Sequence, residues 1–226
     1  MPHTERGAVC GVDCGAGVFG DGMFDRREHW ETVYRTKGTT DVSWYEAEPE
    51  VSRKLIQSVA FGGSGVIDVG GGASQLVDRL LTDGYSPVAV LDISTTALEH
   101  ACRRLGEAGR HVRWIVGDVT QLSDVGRYDV WHDRAVFHFL TDPVDRQKYV
   151  ALVKRTITVG GHLVIGTFAP DGPEKCSGLE VRRYDAAGLI AEFGPDFRLV
   201  EEVKHTHHTP ADKLQRFTFT VLRRCG

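Results

Sequence analysis

An α/β fold, a mostly parallel sheet between layers of helix, is the architecture this sequence predicts, and three observations predict it. The apolar run Val66-Ile67-Asp68-Val69 passes through Gly70-Gly71-Gly72 and resumes as a helical pattern, which reads as strand, tight turn and helix. Three further apolar runs end in acids, at Asp92, Asp118 and Asp133, and follow one another at the spacing of repeated strand–helix–strand units. Helical patterns with glycine stops separate them.

The turn at Gly70 limits the ligand. Glycine lets a backbone approach a bound group closely and adopt positive φ, and N–H groups at the following helix start point at that group. A dinucleotide fingerprint requires a third glycine three residues after Gly72, where this chain has Gln75, so an NAD site is disfavoured. A triphosphate loop requires Lys and Ser or Thr after its last glycine, where Ala73-Ser74-Gln75-Leu76 stands, so that ligand is excluded. What remains, Asp68-x-Gly70-x-Gly72, resembles the first motif of the class I S-adenosylmethionine-dependent methyltransferases. Ser74 stands where that family often has glycine, and Gly71 where it often has a larger residue.

The resemblance runs well from 66 to 166 and implies a Rossmann-like three-layer sandwich. Its seven-stranded, mostly parallel sheet would carry an antiparallel C-terminal strand, and an N-terminal helical cap would cover it. It also implies S-adenosyl-L-methionine as cofactor, cradled at Asp68, Gly70 and Gly72. Asp92, with Ile93, would accept from the ribose hydroxyls, and βαβ spacing places an acid there too. Asp118 and Val119 would hold the adenine, and Trp44 would lie over the cofactor.

In chain order, 1–22 contains six glycines and little apolar periodicity, and reads as a disordered tail. A cap is expected over 23–60. Its first helix, 24–37, carries Trp30, Val33 and Tyr34 on one face and stops at Gly38. Trp44 and Tyr45 follow, then a helix over 49–60 with Pro49 in its first turn. The cofactor-binding methyltransferase domain occupies 61–226. Its helices are expected over 74–82, over 94–105 with Thr96 and Glu99 at capping-box spacing, and from Pro143 to about 157. A fifth strand covers 162–168. The segment 169–183 is too long for a plain connection and is expected to border the substrate. Asp185 caps a short helix, and strands over 197–204 and 215–224 close the sheet as a hairpin.

Composition narrows the partners. A hydrophobic content of 41% over 226 residues supports one sizeable core, and a net charge of −4 provides no broad basic field for nucleic acid. The chain lacks an apolar run long enough to span a membrane and a secretory leader pattern, so the expectation is a soluble, cytoplasmic protein without membrane partners. Five cysteines, odd in number and scattered, are expected as reduced thiols.

Methyl transfer from a sulfonium is an in-line displacement, so alignment and exclusion of water carry most of the chemistry. Where a base is required, Asp133 and His138 are the candidates, the acid orienting and the imidazole removing a proton. Tyr45 and Cys176 are candidate substrate contacts. His205, His207 and His208 lie beyond the sixth predicted strand; their spacing matches no metal motif, so they are expected as solvated loop residues without a metal.

The resemblance implies methyl transfer to sulfur, oxygen or nitrogen of a small-molecule acceptor. A protein lysine N-methyltransferase is the alternative, similar in the Trp30 to Tyr34 helix and Trp44-Tyr45. Asp133-Arg134-Ala135-Val136 departs from the Asp-Lys-Gly-Thr type of sequence after the fourth strand in those enzymes. A non-catalytic cofactor-binding subunit is less consistent with intact Asp68, Asp92 and Asp118, and an NAD-dependent oxidoreductase with Gln75.

Overall fold

The computed structural model describes residues 25–226 and the backbone of Asp13–Cys14. Seven main strands are β1 (Val66–Val69), β2 (Val88–Asp92), β3 (Val112–Val116), β4 (Tyr128–Arg134), β5 (Ile157–Phe168), β6 (Phe197–His208) and β7 (Leu214–Arg224). They lie in the order β3-β2-β1-β4-β5-β7-β6, with β7 antiparallel to both neighbours and the other pairings parallel. Asp13–Cys14 adds a short parallel pairing outside β3, against Ile115 and Val116. That ordered pairing falls inside the segment expected to be a disordered tail; the rest of that segment lies outside the described residues.

Strand alternation builds two cores. Val66, Val90 and Val130 face a layer made by α2 (Glu50–Val59), α3 (Leu76–Thr82) and α4 (Thr95–Leu105), through Ile56, Leu80 and Leu98. Ile67, Leu91 and Trp131 face the opposite layer, made by α5 (Pro143–Thr156) and α6 (Ala186–Phe193). All four residues of β1 are buried, as a central parallel strand covered on both faces requires. Leu55 and Ile56 place α2 within the first layer, whereas α1 (Arg26–Thr36) and the 37–49 loop lie over the carboxyl ends of the strands.

Short polar side chains start the helices. Asp25, Asp142 and Asp185 accept from backbone N–H groups of Glu28, Val144 and Gly188. At α4 the cap is Ser94, accepting from Ala97 N, in place of the expected Thr96–Glu99 box, because the helix begins two residues earlier than that box needs. β5 starts at Ile157, so Gly160-Gly161 lies within a strand rather than closing a helix, and β6 runs four residues past its expected end to take in His205, His207 and His208. Cys176 and Cys225 are free thiols, but Cys102 is disulfide-bonded, which corrects the expectation for that residue. Scatter along the chain does not fix separation in space.

The end of β4 is organised by Asp133. Its carboxylate accepts from the N–H groups of Val136 and Phe137, at 2.8 and 3.1 Å, and from the Tyr149 hydroxyl of α5, which in turn accepts from Trp131 Nε1 at 2.9 Å. Burial raises the Asp133 pKa to about 6, and the Tyr149 hydrogen bond opposes that rise. Removing the hydroxyl leaves the carboxylate short of a donor and the indole N–H without its acceptor. Tyr149→Phe is therefore expected to destabilise the protein by about 2 kcal/mol at pH 8. Because the hydroxyl stabilises the ionised acid, the loss should shrink below pH 6 as the carboxyl becomes protonated. Denaturant unfolding at pH 8 and pH 5 checks both the size and the sign.

Candidate functional site

Chain order reverses about β1, since β2 and β3 lie on one side of it and β4 and β5 on the other. A crevice forms at the carboxyl ends of the strands at such a point. Here it holds a cavity of about 800 Å³, counted to its open mouth. Gly70, Asp92, Asp118 and Arg134 reach it from four strand ends, while Arg26, Trp30 and Tyr34 of α1 roof it. A second cavity, of about 570 Å³, shares Tyr34, Trp44, Val69, Gly70 and Arg134 with the first.

The glycine turn is required by its surroundings. Gly70 has φ +67, and a Cβ there would lie 2.0 Å from Val136 Cγ2. Gly72 has φ +40, and a Cβ there would meet Tyr34 Oη at 2.7 Å and Asp92 Oδ2 at 2.8 Å. The turn is thus pressed against both the roof and the neighbouring acid. Asp68 lies buried beneath it, with His132 Nδ1 on its Oδ1 at 2.7 Å; Oδ2 has no hydrogen-bond partner among the described residues. Ser52 Oγ occupies the other ring nitrogen of His132 at 2.9 Å.

Asp92 is buried at the end of β2, where its Oδ1 accepts from Ser94 N at 2.8 Å. Burial first, and then the charges of Asp68 and Glu31, raise its pKa to about 7. Glu31 belongs to α1 and accepts from Thr95 N at 2.6 Å, while Arg27 Nε donates to Ile93 O at 3.2 Å, so the roof is docked beside this acid. Asp118 Oδ1 accepts from the N and Oγ1 of Thr120, at 2.8 and 2.7 Å, and Arg26 Nη1 lies 3.6 Å from its other oxygen. Ile93 and Val119 line the cavity wall.

Most of the residues expected from sequence converge here. Trp44, Gly70, Asp92, Ile93, Asp118, Val119 and Cys176 line the first cavity, and Asp68 and Tyr45 line the second. Gly72 backs the turn between them. The long 169–183 segment contributes through a small hairpin, Lys175–Cys176 with Leu179–Glu180, that brings the buried Cys176 side chain to the wall.

The catalytic pair is corrected. Asp133 faces α5, because alternation along β4 sends Trp131 and Asp133 to one face and His132 and Arg134 to the other. His138 is fully buried within the turn Phe137–Phe139. Residues three apart eclipse in such a 3₁₀ turn, so Val136 and Phe139 reach the cavity together and His138 does not. Its ring packs against Phe139 and Phe168 at 4.4 and 4.8 Å, and neither nitrogen has a partner among the described residues. Burial, with the nearby Arg134, depresses its pKa to about 3, so it remains neutral and a weak base.

Arg134 is the residue that sequence reasoning passed over. Its Nη1 donates to Trp44 O at 2.8 Å and Nη2 to Glu46 Oε1 at 2.9 Å, and its guanidinium lies over the Phe217 ring at 5.1 Å. Its signal was positional: it shares a face of β4 with His132, one residue out of phase with Asp133. Among the described residues no helix is long and apolar enough to cross a membrane.

The comparisons agree with this geometry. Residues 66–161 match the family described as "Methyltransferase domain". Nodulation protein S of Rhizobium tropici is 27% identical over 117 residues, 51% of this chain and 48% of that protein. The eEF1A lysine and N-terminal methyltransferase of Mus musculus is 28% identical over 147 residues, 61% of this chain and 21% of that protein. The chain thus spans about half of the first relative and a fifth of the second. Among solved structures, the Burkholderia thailandensis 1,6-didemethyltoxoflavin-N1-methyltransferase, with its substrate and S-adenosylhomocysteine bound, superposes with a TM-score of 0.67 at 19% identity, covering 88% of this chain and 87% of that one. Residues 66–161 thus resemble a methyltransferase domain, and the seven-stranded sheet with β7 reversed has the fold of solved S-adenosylmethionine-dependent methyltransferases.

Proposed function

We propose that this protein transfers a methyl group from S-adenosyl-L-methionine to a heteroatom of a small molecule, with nitrogen the favoured acceptor. The observation that carries the reading is the roofed cavity, which Asp92, Asp118 and the glycine turn share with the aromatic side chains of Trp30, Trp44 and Phe139 and with Cys176 and Arg134. The residues fit the cofactor: Gly72 has no room for a Cβ, and the buried Asp68 Oδ2 is an acceptor in want of a donor such as an amino group. Bound cofactor supplies an electrophilic methyl on a sulfonium. Asp92 accepts from the ribose hydroxyls, Asp118 from the adenine amine, and the aromatic wall excludes water. Crevices at the carboxyl ends of strands where the chain order reverses take small molecules. That the chain works in the cytoplasm without membrane partners is part of the same reading, as is the lack of nucleic-acid partners, which its net charge of −4 supports.

The wall also limits the acceptor. Burial raises the pKa of the Tyr34 hydroxyl and of the Cys176 thiol. Asp92 is committed to the cofactor, and His138 is out of reach. The acceptor therefore carries its own lone pair at neutral pH, as a weakly basic amine or a heteroaromatic nitrogen does. The Burkholderia enzyme is named as an N1-methyltransferase of a small molecule, whereas the mouse relative is named for lysine and N-terminal methylation.

Three outcomes are expected. Ionised Asp92 is the better acceptor, so with its pKa near 7 the affinity for S-adenosylhomocysteine should fall about tenfold between pH 8 and pH 6. Calorimetric titration should find Asp92→Asn weak and nearly flat over that range, and a flat profile for the parent would remove Asp92 from the site. In a radiolabel screen with heteroaromatic amines, alkyl amines, thiols, phenols and a lysine peptide, label should pass first to the heteroaromatic amines. His138→Leu should keep turnover within about threefold, against the 10²–10⁴-fold loss expected for removal of a general base. Transfer to the peptide alone would favour the lysine alternative.

A further inference from the structure

A second constellation stands where the 37–49 loop meets the C-terminal hairpin. Glu46, His205 and His207 each bring one atom able to ligate a metal, and the three atoms lie within 4.8 Å of one another. His205 and His207 are two residues apart on β6 and so share a face, which corrects the expectation of solvated loop residues; His207 is buried. Only His208, of the three histidines, is exposed.

The tautomer of His207 follows from its surroundings. Its Nε2 lies 2.8 Å from Ser43 O, and a carbonyl oxygen only accepts, so Nε2 carries a proton. In the neutral ring the lone pair is then on Nδ1, which faces Glu46 Oε1 at 3.2 Å. His205 Nε2 lies 3.9 Å from the same oxygen. A lone pair and a carboxylate oxygen at such a distance repel unless positive charge stands between them. Zinc with bonds of 2.0–2.1 Å separates neighbouring tetrahedral ligand atoms by about 3.3 Å, close to the spacing of Nδ1 and Oε1.

The outer partners are also in place. A ligating imidazole characteristically donates its other N–H to a carbonyl, as His207 does to Ser43, and a ligating carboxylate is itself hydrogen-bonded, as Glu46 is by Arg134 Nη2. Arg134 opposes a second cation by charge, which lowers affinity without blocking the histidine nitrogens.

We propose that Glu46, His205 and His207 bind one borderline divalent cation, zinc foremost, which fastens the cap loop to the sheet. Two imidazoles and one carboxylate favour zinc or cobalt over magnesium or calcium, whose ligand preference is oxygen. Glu46 is two residues from Trp44, and Arg134 holds both, so the cation braces a wall of the cofactor cavity without entering it. The site is independent of which acceptor is methylated.

The full chain, stripped with a chelator and titrated with zinc chloride against a chromophoric competitor, is expected to take up one zinc per chain, unaffected by excess magnesium. His205→Ala and His207→Ala should each weaken binding at least about tenfold, while His208→Ala binds as the parent does. Circular dichroism of each variant reports whether the fold persists, and half-buried His205 provides a variant with little packing to lose. No stoichiometric uptake by the parent, or uptake unchanged in His205→Ala, would overturn the proposal.

Discussion

The buried guanidinium of Arg134 is the constraint on which the arrangement of cap and sheet depends. A cation out of water has to be bonded where it stands, and the partners available at the end of β4 are the carbonyl of Trp44 and the carboxylate of Glu46. Both belong to the loop between α1 and α2, so the sheet can bury this charge only with the cap in place. Breaking such a pair from one side costs about 3–5 kcal/mol, because the remaining charge is stranded. Phe217 supplies an aromatic face behind the guanidinium, and Glu46 passes the connection on to His207 of β6.

The cavity is polarised as a result. Asp68, Asp92 and Asp118 stand at the ends of successive strands on one side, and Arg134 stands on the other. In the proposed reading, a cofactor cationic at sulfur would lie between these acids and an arginine that is neutralised by Glu46. The surroundings of the acids differ. Asp68 is matched by His132, Asp118 by Thr120 and Arg26, while buried Asp92 has only backbone donors, Ser94 and Ile93, and two like charges close by.

The sequence made the cradle legible because each of its parts is local: a strand, an acid at its end, and a glycine where the turn needs one. The same holds for the sheet, whose strands read as apolar runs, and for β7, which pairs in reverse as expected. What could not be read was phase. Asp133 and Arg134 are adjacent, and only the identity of the packed face decides which of them meets the ligand. His138 was hidden by the three-residue repeat of a turn that follows Ala135 at φ +71, a conformation rare in residues other than glycine. Contacts across long separations were equally out of reach, as between Glu46 and β6, or between Arg26 and Asp145, which are 119 residues apart.

Arg26, Trp30 and Tyr34 all belong to one eleven-residue helix. The helix is tied down by Glu31 to Thr95, by Arg27 to Ile93, and by Arg26 to Asp118 and Asp145. Two of these ties, to Ile93 and Asp118, end on residues that border the cavity, so the roof is fastened to the cavity wall itself. Retention of a ligand beneath the helix therefore depends on polar contacts that the ligand does not itself make.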